Sequence, residues 1–215
     1  ASLEAFSNAY GTKVVLILSA VEIPGRATPS DLDSTSFSSA TMATRYKAML
    51  DYVFTIMSES NVQSISLGNE VDAYNWSGDV SAVSDFETFI SNVSDHSAFV
   101  SGGVELAFTG THHGLTETAG PDDWTSMESV VDLIHVTYYP IDSSFQVEDP
   151  SVVSGDLQSL VDKFSTPIYL QEVGYQSSTT SGSSEDLQAE FFCNFFQAWD
   201  DHATEIPRAS ILRFN

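Results

Sequence analysis

The chain has 215 residues, with 30 acidic against 7 basic side chains and a formal charge of −23. This charge argues against nucleic acids and membrane surfaces as partners, because both are bound mainly through basic side chains. Hydrophobic residues make up 42% of the chain, which is enough for one large core, and no apolar run approaches the ~20 residues of a membrane helix. We therefore expect residues 1–215 to form a single domain.

Short β-branched runs alternate with segments of helical period, which is typical of a parallel sheet built from βα units. Strands are predicted at six places in chain order: residues 13–19, 62–69, 98–108, 133–139, 167–173 and 209–215. Apolar residues at steps of three and four predict a helix between the first two strands: Met42, Tyr46, Met49, Val53 and Met57. A last helix is predicted to begin after a cap at Ser183 and to end near His202.

The second predicted strand alternates small and branched side chains. If Glu70 points inward, Ser64 and Ser66 share its face, whereas Ile65 and Leu67 point outward. Small residues inside and branched residues outside favour the crowded interior of a (β/α)8 barrel. An open, doubly wound sheet fits the alternation almost as well, and it would bind ligands at the same carboxyl ends of its strands.

Two glutamates differ from the other acidic residues, most of which are expected to be surface charges. Glu70 and Glu172 each end a strongly apolar predicted strand, where a charge is costly unless it has partners or a task. Barrel enzymes keep their chemistry at such strand ends. No Gly-x-Ser-x-Gly motif and no phosphate-binding glycine loop points to another chemistry. The two glutamates are therefore the candidate catalytic residues.

Three short motifs lie at these strand ends: Gly68-Asn69-Glu70, Thr137-Tyr138-Tyr139-Pro140 and Gln171-Glu172-Val173-Gly174. Together they resemble glycoside hydrolase clan A, and the segments LGNEVDAYNW and VTYYP are similar to the endo-β-1,4-galactanases of that clan. The resemblance implies a (β/α)8 barrel in which Glu70 ends strand four as the acid/base and Glu172 ends strand seven as the nucleophile. It also implies that Asn69 hydrogen-bonds the sugar 2-hydroxyl and that Tyr139 orients or stabilises Glu172.

If Glu70 ends strand four of the barrel and Glu172 ends strand seven, the six predicted strands are strands three to eight. The sequence then contains no residues for strands one and two. We therefore expect an α/β fold of the (β/α)8 TIM-barrel type that is incomplete. The missing strands indicate either a fragment of a catalytic domain that is truncated at both ends or a natural truncation whose sheet edges are covered by another chain. The fragment is favoured, because a bare strand edge near residues 14–18 would promote aggregation.

Other residues near strand ends are candidates for sugar binding. Trp76 and Tyr175 could stack on the apolar face of a sugar ring, although Trp76 could equally cap the core. His112 and His113 could bind hydroxyl groups. A metal at these adjacent histidines is not favoured because they lack spaced partners, and the single cysteine, Cys193, cannot form a thiolate zinc cluster. No metal and no cofactor is expected.

The first functional hypothesis is a retaining glycosidase that cleaves β-linked oligo- or polysaccharides, with its two carboxyl groups about 5 Å apart. Carbohydrate is then the expected partner. Two alternatives stay open: a barrel that binds carbohydrate without turnover, and a transglycosylase in which a sugar instead of water accepts the glycosyl group. The acidic composition favours a secreted or extracellular protein, since such surfaces stay hydrated in salt.

Overall fold

The computed structural model describes residues 2–22, 25–73, 80–116 and 124–212. Six parallel strands form one curled sheet in the order β1-β4-β5-β6-β7-β8. Their bounds are β1 Val14–Ile17, β4 Val62–Ser66, β5 Glu105–Thr111, β6 Leu133–Tyr138, β7 Ile168–Val173 and β8 Arg208–Ile211. A small antiparallel hairpin follows β1 and consists of β2 (Val21–Glu22) and β3 (Gly25–Arg26).

One helix precedes β1, and the other helices lie in the connections between consecutive strands of the sheet. The helices are α1 Ser2–Tyr10, α2 Ala40–Ile56, α3 Val80–Val93, α4 Ser97–Val100, α5 His112–Thr116, α6 Val153–Lys163 and α7 Glu185–Asp201. Short 3-10 turns cover Ser30–Leu32, Glu59–Asn61, Val71–Ala73, Trp124–Ser129, Pro150–Val152 and Thr179–Ser181. No helix in the described ranges combines the length and the apolar character that crossing a membrane requires.

The order of the strands decides between the two predicted architectures. A doubly wound sheet reverses its strand order at a switch point, whereas the order here follows the chain from β1 to β8 without reversal. The strands curl into a half-barrel, and the prediction of an incomplete (β/α)8 barrel is confirmed. The alternative of an open, doubly wound sheet is wrong.

The two faces of the sheet have the compositions that the alternation in β4 predicts. Ile65 and Leu67 are fully buried in the large apolar core under the helices. Ser66 lies on the opposite face, where its hydroxyl is 2.8 Å from that of Thr109 on β5. Ser64 Oγ lies 3.1 Å from Nε2 of the buried His135 on β6. The inner face is therefore lined by small polar side chains that bond across neighbouring strands.

Several predicted boundaries differ from the structure, and two of the differences have a clear local cause. The predicted strand 98–108 begins instead with α4, because the ring of His96 caps that helix by accepting the Ala98 N–H at 3.2 Å. The chain then turns at Gly103, whose φ of 74° is left-handed, before β5 begins. The last helix is capped by Ser184 and not by Ser183, since the Ser184 hydroxyl accepts the Leu187 N–H.

Candidate active site

Glu70 lies just after β4, where the chain enters the 3-10 turn over Val71–Ala73. Its φ of 47° is in the left-handed region, which costs a residue with a side chain roughly 1–2 kcal/mol. The turn is closed by a 3.0 Å hydrogen bond from the Ala73 N–H to the Glu70 carbonyl. Backbone strain of this kind persists where the surroundings hold it, and it is concentrated at functional sites.

Thr137 on β6 brings the two predicted catalytic glutamates to one place. Its hydroxyl donates a 2.8 Å hydrogen bond to Glu70 Oε1. In the sheet, Thr137 is the partner of Glu172 on the neighbouring strand β7. Paired residues of adjacent strands lie only about 5 Å apart in the backbone. Glu70 and Glu172 therefore meet around a single side chain on the inner face.

An irregularity in β7 decides which way Glu172 points. The β6–β7 register pairs Val136 with Leu170 and then shifts by one residue, so that Thr137 pairs with Glu172 and Gln171 is the extra residue. A bulge re-aims the side chains beyond it, because successive side chains alternate between faces. Without the bulge, Glu172 would share the outer face with Leu170.

Tyr139 holds the carboxylate of Glu172. The tyrosine hydroxyl donates a 2.6 Å hydrogen bond to Glu172 Oε2, and the Gln171 amide lies 3.4 Å from Oε1. The ring of Tyr139 lies directly against the backbone of Gly174, where an added Cβ would be only 2.5 Å from Cε1 of the ring. A glycine is therefore needed at position 174 for the ring to reach Glu172.

The surroundings of Glu70 shift its carboxyl group towards the protonated form, relative to a glutamate in water. Burial is the main cause that raises the pKa of its carboxyl group, and the nearby negative charges of Asp72 and Glu172 raise this pKa further. The hydrogen bond from Thr137 acts in the opposite direction, since it favours the charged form. The site therefore combines a carboxyl group with a raised pKa, Glu70, and a second carboxyl group nearby, Glu172. This is an arrangement that acid catalysis can use.

Two members of this site, Thr137 and Asp72, are not predicted from the sequence as site residues. Thr137 belongs to a motif, and its parity with His135 and Tyr139 is the signal that places it on the inner face. Asp72 follows Glu70 by two residues, and no sequence pattern separates it from the acidic residues expected at the surface. In the structure it is half-buried and accepts two hydrogen bonds from Thr111 at the end of β5.

No protein-family model matches this sequence, and no curated protein matches it. Solved structures do match its fold. The catalytic domain "Ignisphaera aggregans GH53" superposes with a TM-score of 0.67 at 15% identity over 98% of this chain. The fold is that of barrel glycosidases. A Bifidobacterium longum GH5_18 variant in complex with Manβ1-4GlcNAc gives a TM-score of 0.70 at 12% identity over 97% of the chain.

A transferase has the same fold. An active-site mutant of Rhizomucor miehei β-1,3-glucanosyltransferase, in complex with laminaritriose, superposes with a TM-score of 0.62 at 14% identity over 97% of the chain. The chain spans 65% of the length of the I. aggregans domain, 69% of the R. miehei protein and 52% of the B. longum protein. These comparisons support the predicted clan A resemblance at the level of the fold, whereas the narrower resemblance to endo-β-1,4-galactanases stays a prediction.

Two of the predicted sugar-binding residues do not join the carboxylates. His112 turns to α6, where its Nε2 lies 3.1 Å from the Asp156 carbonyl, and its ring packs edge-on against Tyr138. Burial in this layer lowers the pKa of His112. Tyr175 is only 6% exposed, because its ring stacks on Phe191 of α7. Both side chains follow strand ends as predicted, but they point into the layer between sheet and helices.

The other three predicted sugar-binding residues, His113, Asn69 and Trp76, lie in different surroundings or outside the described residues. His113 is exposed on α5 near Asp72, whose pKa is raised mainly by burial; His113 opposes this shift. Asn69 follows β4, and within the described residues its buried Oδ1 atom has no hydrogen-bond partner. Trp76 lies outside the described residues. The described ranges contain no group of three or more histidine, cysteine, aspartate or glutamate side chains that could hold a metal ion.

Proposed function

We propose that this chain is the catalytic barrel of a retaining glycosidase that acts on β-linked oligo- or polysaccharides. The observation that carries the proposal is the arrangement at Thr137, which bonds Glu70 and pairs with Glu172, so that carboxyl groups from two distant strands share one site. Burial raises the pKa of Glu70, while both carboxyl oxygens of Glu172 accept hydrogen bonds. Glycoside hydrolysis with retention uses two carboxyl groups in different environments, one as general acid and one as nucleophile.

The reaction proceeds in two displacements. Glu172 attacks the anomeric carbon while the glycosidic C–O bond breaks, and Glu70 donates its proton to the leaving oxygen. This step leaves the sugar as an ester on Glu172 and leaves Glu70 ionised. Glu70 then removes a proton from a water molecule, whose oxygen attacks the anomeric carbon as the ester bond breaks. Both glutamates return to their starting states, and two inversions retain the configuration of the sugar.

The substrate class is inferred from the matching structures as well as from the site. The R. miehei and B. longum proteins are described in complex with saccharides, and the proposal extends this class of ligand to the present chain. The motif similarity to endo-β-1,4-galactanases makes β-1,4-galactan one candidate substrate within the proposal. Transglycosylation is the second candidate, because the R. miehei protein is named a glucanosyltransferase and uses the same barrel. In that reaction a sugar hydroxyl replaces water in the second displacement.

The stereochemistry of the product tests the proposal directly. The chain is incubated with β-1,4-galactan, β-1,3-glucan and β-1,4-mannan oligosaccharides, and the new reducing ends are followed by proton NMR. The β-anomer is expected to appear first, with the α-anomer growing later by mutarotation. Initial release of the α-anomer would contradict retention. Longer products at high acceptor concentration would identify the transglycosylation route.

The substitution Gly174→Ala tests the role of Tyr139. The new Cβ would lie 2.5 Å from Tyr139 Cε1, so the ring must move and its hydrogen bond to Glu172 is lost. We expect kcat to fall by roughly 10- to 100-fold, because a small misplacement of a reacting group is costly. The control is Gly155→Ala on α6, where an added Cβ meets open space. Equal kcat values for the two variants would exclude Tyr139 as a support for Glu172.

A further inference from the structure

Asp72 is tied to the end of the neighbouring strand by both of its carboxylate oxygens. Oδ1 accepts the Thr111 N–H at 2.7 Å, and Oδ2 accepts the Thr111 hydroxyl at 2.6 Å. The same hydroxyl oxygen accepts the Gly114 N–H at 3.0 Å. The 3-10 turn that contains Asp72 is thereby joined to the end of β5 and to the start of α5.

The backbone of α5 lies directly against this carboxylate. A Cβ added at Gly114 would be 2.0 Å from Asp72 Oδ2 and 2.5 Å from Cγ. No other residue type fits at position 114 while Asp72 keeps its place. The packing therefore fixes the position of the Asp72 carboxylate. Thr111 donates hydrogen bonds to it on one side, and the backbone of Gly114 blocks its movement on the other.

The contacts of Asp72 with Thr111 and Gly114 also affect Glu70. They fix the 3-10 turn, and the first hydrogen bond of that turn is accepted by the Glu70 carbonyl. Glu70 has a left-handed backbone, which requires surrounding contacts that outweigh its cost. We propose that Asp72 is a positioning residue for the acid/base Glu70: it anchors the turn that holds the strained backbone, and it places a second negative charge beside the Glu70 carboxyl group. The proposal rests on the proposed glycosidase function, and it adds a residue that acts through Glu70 without contacting the sugar.

The charged groups around Glu70 come from three elements. Asp72 faces it from the turn and Glu172 faces it from β7, and both raise the pKa of Glu70 in addition to burial. Tyr139, also titratable, is bonded to Glu172. Burial is the largest cause acting on the pKa of Asp72 and raises it, whereas the hydrogen bonds from Thr111 and the nearby His113 on α5 act in the opposite direction. Asp72 acts on Glu70 only when ionised, and the Thr111 bonds favour that form.

Three substitutions separate the charge of Asp72 from its anchoring bonds. Asp72→Asn keeps an oxygen for the Thr111 N–H and removes the charge. Thr111→Val keeps the charge and removes the bond to Oδ2. Gly114→Ala displaces the carboxylate without changing it. Gly155→Ala is the matched control, because it adds the same methyl group in open space. Circular dichroism in the near ultraviolet monitors the fold of each variant.

The pH profile of kcat/KM and the carboxyl carbon NMR titration of Glu70 are the two measurements, with the Glu70 signal assigned from its loss in Glu70→Gln. In Asp72→Asn we expect the alkaline limb of the profile and the Glu70 titration to move together to lower pH. In Thr111→Val and Gly114→Ala we expect kcat to fall roughly tenfold with little change in KM, because the acid is misplaced and not the binding surface.

The results separate this proposal from the proposed function. A Glu70 titration that is the same in Asp72→Asn and in the wild-type chain would overturn the proposal, and so would full kcat in Thr111→Val and Gly114→Ala. If the wild-type chain hydrolyses none of the β-glycans, the proposed function fails. In that event the NMR titration, which needs no turnover, still decides whether Asp72 acts on Glu70.

Discussion

Glu172→Gln lowers kcat on β-glycans by on the order of 10⁵-fold, the largest effect expected of any single substitution here. The amide keeps the size of the side chain and can still accept the hydrogen bond from Tyr139, so the fold and sugar binding are retained. It lacks the carboxylate oxygen that attacks the anomeric carbon. The measurement is release of reducing sugar under saturating substrate, with binding followed separately by calorimetry.

A matched control for this loss is Glu205→Gln. Glu205 is exposed and precedes β8, so it lies at the amino ends of the strands, opposite the site. It should leave kcat unchanged. Chemical rescue supports the assignment further: with Glu172→Ala, azide can attack from the vacated side and give a glycosyl azide of inverted configuration. Activity of Glu172→Gln equal to that of the wild-type chain would remove Glu172 as nucleophile.

The same experiment separates catalysis from simple binding. A barrel that binds carbohydrate without turnover predicts sugar affinity in the wild-type chain and no release of reducing sugar. It also predicts that Glu172→Gln changes affinity only slightly, because the amide replaces one hydrogen-bonding group by another. The retaining mechanism predicts turnover that disappears with this single exchange of oxygen for nitrogen.

The positions of both glutamates along the chain could be predicted from the sequence, but the orientation of Glu172 could not. Alternation from Tyr169 places Gln171 on the inner face and Glu172 on the outer face, and only the bulge in β7 reverses this. Nothing in IYLQEV marks the extra residue. The motif resemblance still predicts that Glu172 belongs to the site, because a motif marks the functional residue at a strand end. It does not depend on which face of the strand simple alternation would give that residue.

The side chains after the strands were predicted less well for a related reason. A position near a strand end limits where a residue lies but not whether its side chain points to the cleft or to the helices. His112 and Tyr175 satisfy the first condition and still pack under α6 and α7. Asp72 was missed because its partner, Thr111, is distant in the sequence and belongs to a strand whose end the pattern placed at residue 108.

Glu70→Gln is expected to lower kcat by about 10²- to 10⁴-fold on natural β-glycans, which is the range for loss of a general acid. The glutamine can accept the hydrogen bond from Thr137, but its amide has no acidic proton to transfer to the leaving oxygen. A sugar with a strongly acidic leaving group, such as a dinitrophenyl glycoside, needs no proton in the first displacement. Its first step should therefore be almost unaffected, and the sugar ester on Glu172 should accumulate and be detectable by mass spectrometry.

The pH dependence of the same variant has a definite sign. The pKa of Glu70 is raised, chiefly by burial, so the wild-type chain loses its acid as the pH rises through that pKa, and the alkaline limb of kcat/KM marks this loss. Unfolding follows the same linkage: the folded chain holds the Glu70 proton more tightly than the unfolded chain, so this group's stabilising contribution is present at low pH and is lost as the pH rises through its folded pKa. Glu70→Gln should remove the alkaline limb and flatten this fall in the free energy of unfolding. An alkaline limb unchanged in Glu70→Gln would assign the proton to another residue.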